Sequence, residues 1–162
     1  MRALTVRQPW AWAIVHGGKD VENRSRNVAG SYRGPVAIHA GLRVDVDAFE
    51  DPLIEAATID ASYFLDLDDD RDPYPLGAFV GVVDLVDVHQ AQPQQHAFGT
   101  TYQAACCTSP WAVMGWLDDS RPPWHLVVAN PRPLPSPIPA RGRLGLWTPP
   151  AEVLEQLQAV TR

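Results

Sequence analysis

Leu4-Thr5-Val6-Arg7-Gln8-Pro9-Trp10-Ala11-Trp12-Ala13-Ile14-Val15-His16-Gly17-Gly18-Lys19-Asp20-Val21-Glu22-Asn23-Arg24 decides the fold, because it sets a strand, a short helix, a glycine stop and a charged strand end to end. Leu4 to Val6 reads as a short strand. Pro9 suits the first helical position, where its missing N–H costs nothing, and the Ala/Trp/Ile run after it gives the helix an apolar face. Gly17-Gly18 stops that helix. Beyond it the chain is expected to run extended. Side chains two apart on a strand share a face, so Asp20, Glu22 and Arg24 project together, and Lys19 at the turn can swing toward the same space. The unit points to a binding or catalytic cleft.

Gly17-x-Lys19-x-x-Glu22-x-Arg24, following Arg7-Gln8-Pro9-Trp10, resembles the signature of the ASCH domain, a family of the PUA-like superfamily. Tyr32-Arg33-Gly34-Pro35-Val36-Ala37-Ile38-His39-Ala40 is similar to that family's next strand. The stretch from Trp124 to Arg132, then Pro137 to Gly142 and Leu144 to Trp147, resembles the closing strands of its longer bacterial and phage members. Three blocks in the expected order cover most of the chain. The resemblance implies an α+β protein, a PUA-like small β-barrel decorated by short helices.

A length of 162 residues with 46% hydrophobic content fits one domain, 1–162, with room for a core. No apolar run approaches the ~20 residues of a membrane span, and the N-terminus lacks a secretory pattern, so a cytoplasmic protein with no membrane partner is expected. The net charge of −6 is unevenly placed. Residues 1–43 carry seven Lys/Arg and two Asp/Glu, whereas 44–90 carry one and thirteen. The signature-bearing third is therefore basic, and an acidic insertion around 45–73 holds most of the negative charge.

Asp45 to Glu50 reads as a helix start with acids in its first turn, and Pro52 either kinks that helix or begins the next. Asp66 to Pro73 reads as a solvated loop. A calcium site there lacks the glycine and the terminal Glu of a calcium loop. Gly77 to His89 is the clearest long strand, with Gly81 marking a bulge or bend. A short helix is expected around Tyr102 to Cys106, and a helix or strand over Trp111 to Trp116. Trp124 to Ala129 reads as a strand, the proline-rich 130–139 as an extended connector, Arg143 to Trp147 as a closing strand, and Thr148-Pro149-Pro150 as the cap of a final helix reaching Val160.

Lys19 is the only lysine in the chain. A lysine offers a compact point charge with three donors, and becomes a base or nucleophile when desolvation lowers its pKa; its structural alternative is an ion pair with Glu22. Glu22 is suited to moving protons, orienting Lys19 or accepting from a base edge, or else to pairing with Arg24. Arg24 is either a phosphate clamp or an internal brace. Trp10 and Trp124 are the leading base-stacking candidates, with Trp147 assigned to the core. Gln8 either reads a base edge or caps the helix. His39 is a candidate acid or base, against the commoner hydrogen-bonded core histidine. The five histidines and the adjacent Cys106 and Cys107 show no metal spacing, so no metal and no other cofactor are expected.

The resemblance implies a module that binds RNA or a modified nucleoside. Lys19, Arg24, Arg7 and Arg26 would engage phosphate, Trp10 would stack, and Gln8 with Glu22 would read the base. The alternative is a hydrolase. Some small bacterial relatives look like amidohydrolases of N4-acylated cytidines, whose lysine Lys19 matches; their threonine position, however, is occupied here by Glu22, and a carboxylate does not replace a hydroxyl nucleophile. A ribonuclease moving protons through Lys19, Glu22 and His39 is a variant of that reading. The third reading is an adaptor that docks a protein partner on the acidic insertion.

Overall fold

The computed structural model describes residues 1–62, 73–96, 99–104, 107–113 and 121–160. The chain begins with β1 (Arg2–Gln8), α1 (Trp10–Val15), β2 (Val21–Arg24) and β3 (Gly34–Val44). A 3-10 turn (Asp47–Glu50) and α2 (Pro52–Ser62) come next, so Pro52 begins a new helix. Then follow β4 (Ala78–Gln90), β5 (Pro93–His96), β6 (Gly99–Ala104), β7 (Trp124–Pro139), β8 (Leu146–Trp147) and α3 (Ala151–Val160). No described helix is long and apolar enough to cross a membrane.

Six strands form one sheet in the order β2-β7-β4-β3-β1-β8, and β5 pairs with β6 in a separate hairpin. Only β1 and β3 run parallel in the main sheet, joined by a crossover through α1 and β2; its other pairs are antiparallel. Three register shifts between β4 and β7 and one between β3 and β4 bend this sheet into a half-barrel.

Alternation along the strands divides the core into two layers. Leu4, Val6, Ile38, Val83, Leu85 and Leu126 face α1, where Ile14 and Val15 fill the hollow of the half-barrel. Ala3, Ala37, Phe79, Val82 and Trp147 face the other way, onto Val153 and Leu157, which lie four apart on α3. The central strand β3 is buried on both faces from Val36 to Gly41. Gly81 is needed where α1 crosses the sheet, since a Cβ there would lie 2.7 Å from Val15. This close approach sits beside the register shift opposite Ile38 and His39, as a bend at Gly81 requires.

Two expectations fail in the second half. The proline-rich 130–139 is not a free connector but the continuation of β7, with Arg132, Pro133, Ile138 and Pro139 still in register with β4. Pro131, Pro135 and Pro137 fall where the shifts beside Gly81 and Asp84 leave gaps in the ladder. The helix expected at Tyr102 to Cys106 is instead, as far as Ala104, the second strand of the β5–β6 hairpin. Residues 105–106, most of the acidic loop with its calcium alternative, and 114–120 lie outside the described residues.

Candidate functional site

A pocket of about 750 Å³ opens at the edge of the half-barrel and is lined by the signature residues. Its floor is set by the end of α1. The Gly17 and Lys19 N–H groups both donate to the Ala13 carbonyl, at 2.9 and 3.0 Å, and Gly18 takes a positive φ of 69° between them. This tight turn drives Lys19 back under the helix, where the residue is only 4% exposed. Its ammonium donates to the Val21 carbonyl at 2.5 Å and lies between the rings of Trp10 and Trp111, 5.2 and 5.4 Å from their centroids.

Strand β2 carries the remainder of the signature. Glu22 Oε1 accepts from Arg24 Nη2 at 3.0 Å while Oε2 stands 3.9 Å from Lys19 Nζ. Arg24 Nη2 also donates to the Thr5 carbonyl at 2.8 Å, bridging β2 to β1 across the sheet opening. The Arg24 Nε is buried without a hydrogen-bond partner. Asp20 leaves this group, because its carboxylate accepts from the Ser109 hydroxyl.

Burial is the largest influence on Lys19 and pushes its pKa below the ordinary lysine value; Glu22, Asp20 and Asp51 oppose that shift. Lys19 is thus a cation held in a dry, aromatic setting, with a carboxylate near enough to take part in proton movement.

The far wall is the irregular segment 107–113. Asn23 clamps it from β2, its Nδ2 donating to the Trp111 carbonyl at 2.8 Å and its Oδ1 accepting from the Val113 N–H at 3.0 Å. Leu42 and Arg43 of β3 and Arg143 to Gly145 of the loop before β8 complete the rim with Arg7. Asp45 and Asp51 also line the pocket, and Asp45 Oδ2 accepts from Trp10 Nε1 at 3.0 Å, so the acidic insertion does touch the basic third of the chain. Five cationic side chains against three anionic ones line a pocket of local excess +2 in a chain of net −6.

Lys19, Glu22, Arg24, Arg7 and Trp10 therefore meet as the sequence led us to expect. Four candidates do not. Gln8 is fully buried: its Oε1 accepts from the Trp12 N–H at 3.0 Å and its Nε2 donates to the Pro75 carbonyl at 3.1 Å, which makes it the helix cap and leaves no edge for a ligand. His39 is 1% exposed on the α3 face of the sheet, its Nε2 against the Ala140 carbonyl and its ring beside Phe79 and Trp147. Gly142 closes over it so tightly that a Cβ there would lie 2.6 Å from the imidazole, so His39 is a core histidine outside the pocket. Trp124 packs on the core beneath β2 and does not line the pocket. Arg26 is exposed just past β2 and does not line it either. Replacing Gln8 by alanine is expected to cost about 1–2 kcal/mol, by loss of the cap and a stranded Pro75 carbonyl, with no effect on ligand affinity. Thermal unfolding and a binding titration on the same variant check this.

Asn23, Arg43, Trp111 and Arg143 went unrecognised in the sequence. Asn23 lies inside the signature, but between Glu22 and Arg24, where strand alternation turns a side chain toward the other face. The other three come from segments far apart in sequence, and no local pattern sets them beside Lys19.

Comparison with known proteins agrees with this architecture. The ASCH domain model matches residues 4–136. The crystal structure of an ASCH protein from Zymomonas mobilis is similar, with a TM-score of 0.56 at 13% identity, covering 99% of this chain and 95% of the other. A mutant form of the Zymomonas mobilis protein gives 0.54 at 14% identity, covering 99% and 98%. No curated protein matches this sequence. At such identities the likeness is one of fold, the PUA-like α+β half-barrel with short helices.

Proposed function

The chain belongs to the ASCH domain family, and we propose that its pocket binds single-stranded RNA or a modified nucleoside. The observation that carries this reading is Lys19 itself, the only lysine of the chain, held between two indoles at the floor of a cationic pocket. Arg7, Arg43 and Arg143 on the rim supply the cationic groups that a phosphate would need. The Trp10 and Trp111 rings, with the exposed Leu42 and Leu144 at the mouth, offer the flat apolar surface that an unstacked base needs. Glu22, held by Arg24, presents a carboxylate acceptor to a base amino group.

A second reading follows from the lowered pKa of Lys19. A lysine that gives up its proton more readily than usual can act as a base or nucleophile, and Glu22 at 3.9 Å could relay that proton. This supports hydrolysis of an N4-acylated cytidine; His39 has no part in it.

The deciding experiment titrates the protein with a short single-stranded RNA over a range of salt, and incubates it in parallel with N4-acetylcytidine. Binding through three rim arginines is expected to fall with salt with a logarithmic slope of about −2, and Arg7→Ala or Arg143→Ala should each reduce that slope by about 0.7. Affinity insensitive to salt would remove the RNA reading. Formation of cytidine from the acylated nucleoside would make the hydrolase reading the right one.

A further inference from the structure

We propose that His89, Cys107 and His125 form a binding site for a zinc-class divalent metal ion behind the wall of the pocket. His89 on β4 and His125 on β7 are direct cross-strand partners, so their rings leave the sheet side by side, 5.4 Å between centroids. Cys107 opens the segment 107–113 and places its Sγ 3.0 Å from His125 Nδ1. One ligand atom from each of the three residues lies within 4.8 Å of the others. Around a tetrahedral ion with metal–nitrogen and metal–sulfur bonds of the usual length, such atoms stand about 3.5 Å apart, so the widest separation must close by about 1 Å and the Cys107–His125 pair must open by about 0.5 Å.

The outward nitrogens make the stronger argument. His89 Nδ1 faces Asp87 Oδ2 at 2.6 Å, and His125 Nε2 faces the Val113 carbonyl at 2.9 Å. Both partners are acceptors only, so each of these nitrogens carries the proton and the inner nitrogen of each neutral ring keeps its lone pair. The inner His89 Nε2 is buried and has no hydrogen-bond partner. Carboxylate or carbonyl behind imidazole, with lone pairs converging on a thiol, is how metal-binding histidines are held. Two imidazoles and a thiolate suit zinc better than magnesium or calcium, with water in the fourth position.

Spacing along the chain led us to expect no metal, because the ligands come from two strands and an irregular segment. The β4–β7 register brings together what spacing does not. Metal binding would deprotonate the Cys107 thiol, release its proton to solvent, and staple the segment carrying Trp111 to the sheet.

The test is a titration of the metal-free full chain with Co²⁺, followed by competition with Zn²⁺. The expected result is one Co²⁺ per chain, with the near-ultraviolet thiolate-to-cobalt band and the visible absorption of a tetrahedral ion, both removed by Zn²⁺. Cys107→Ser should abolish the thiolate band. Asp87→Asn, at a half-exposed position, should weaken affinity about 10- to 100-fold while retaining the band. No cobalt spectrum at micromolar metal, or a spectrum unchanged in Cys107→Ser, would overturn the site. None of these readouts depends on what the pocket binds.

Discussion

Lys19→Ala is expected to weaken RNA or nucleoside binding about 10- to 100-fold while leaving thermal stability within about 1 kcal/mol of the parent. The affinity loss follows from removing a charged donor that water barely reaches, where a charge-assisted hydrogen bond is worth about 1.5–3 kcal/mol. The small stability effect follows from the partners left behind. Glu22 retains Arg24 at 3.0 Å, so no carboxylate is stranded, and the desolvation cost that disappears with the ammonium offsets the Val21 carbonyl left without its donor. If Lys19 served mainly as a brace, that offset would fail, and losing the Val21 hydrogen bond and the packing between Trp10 and Trp111 would cost about 3–5 kcal/mol with affinity per folded molecule unchanged. Calorimetric binding and chemical denaturation of one variant separate the two.

The same lysine dictates a pH dependence. Its folded-state pKa lies below the ordinary 10.5, so between the two values the unfolded chain binds more protons than the folded one. Stability must then rise with pH through the window below 10.5 and level off above it. Denaturation midpoints of the parent, compared with Lys19→Met across that window, should show the parent gaining as pH rises. A parent that loses ground instead would mean that the Glu22 attraction outweighs burial.

Phe79→Ala is expected to have the largest effect on stability, about 3–5 kcal/mol, or a fall of about 10 °C in melting temperature. Phe79 is fully buried, its ring 5.1 Å from His39 and 5.7 Å from Trp147, in the layer that fastens α3 to the sheet. Its neighbours sit on β3, β4, β8 and α3 and cannot collapse together without breaking register. The pocket lies elsewhere, so affinity per folded molecule should stay unchanged. A variant that unfolds early and also loses affinity while still folded would show that the two layers are coupled more tightly than their separate packing suggests.

The first 24 residues were the most legible part of the chain. Strand, helix, glycine stop and charged strand follow from local rules alone, and β1, α1 and β2 appear in that order. Gly81 was readable for a similar reason, since a glycine within a β-branched run invites a close approach. The 130–139 stretch was misread because prolines argue locally against a strand, and only the shifted ladder with β4 leaves gaps for Pro131, Pro135 and Pro137. His39 misled because its neighbours in sequence are signature-like, while its neighbours in space are aromatic.

What the sequence determined by itself is the set of groups within one short unit: Lys19 behind a glycine turn, and Glu22 and Arg24 on one face of a strand. Periodicity and turn chemistry act over a few residues, and they suffice for that. Tertiary structure alone decided which distant side chains meet them. Trp111 over Lys19, Arg43 and Arg143 on the rim, and His89 opposite His125 depend on strand order and register. Register is set by how two faces of a bent sheet bury their side chains together, a property of the whole core that no single segment encodes.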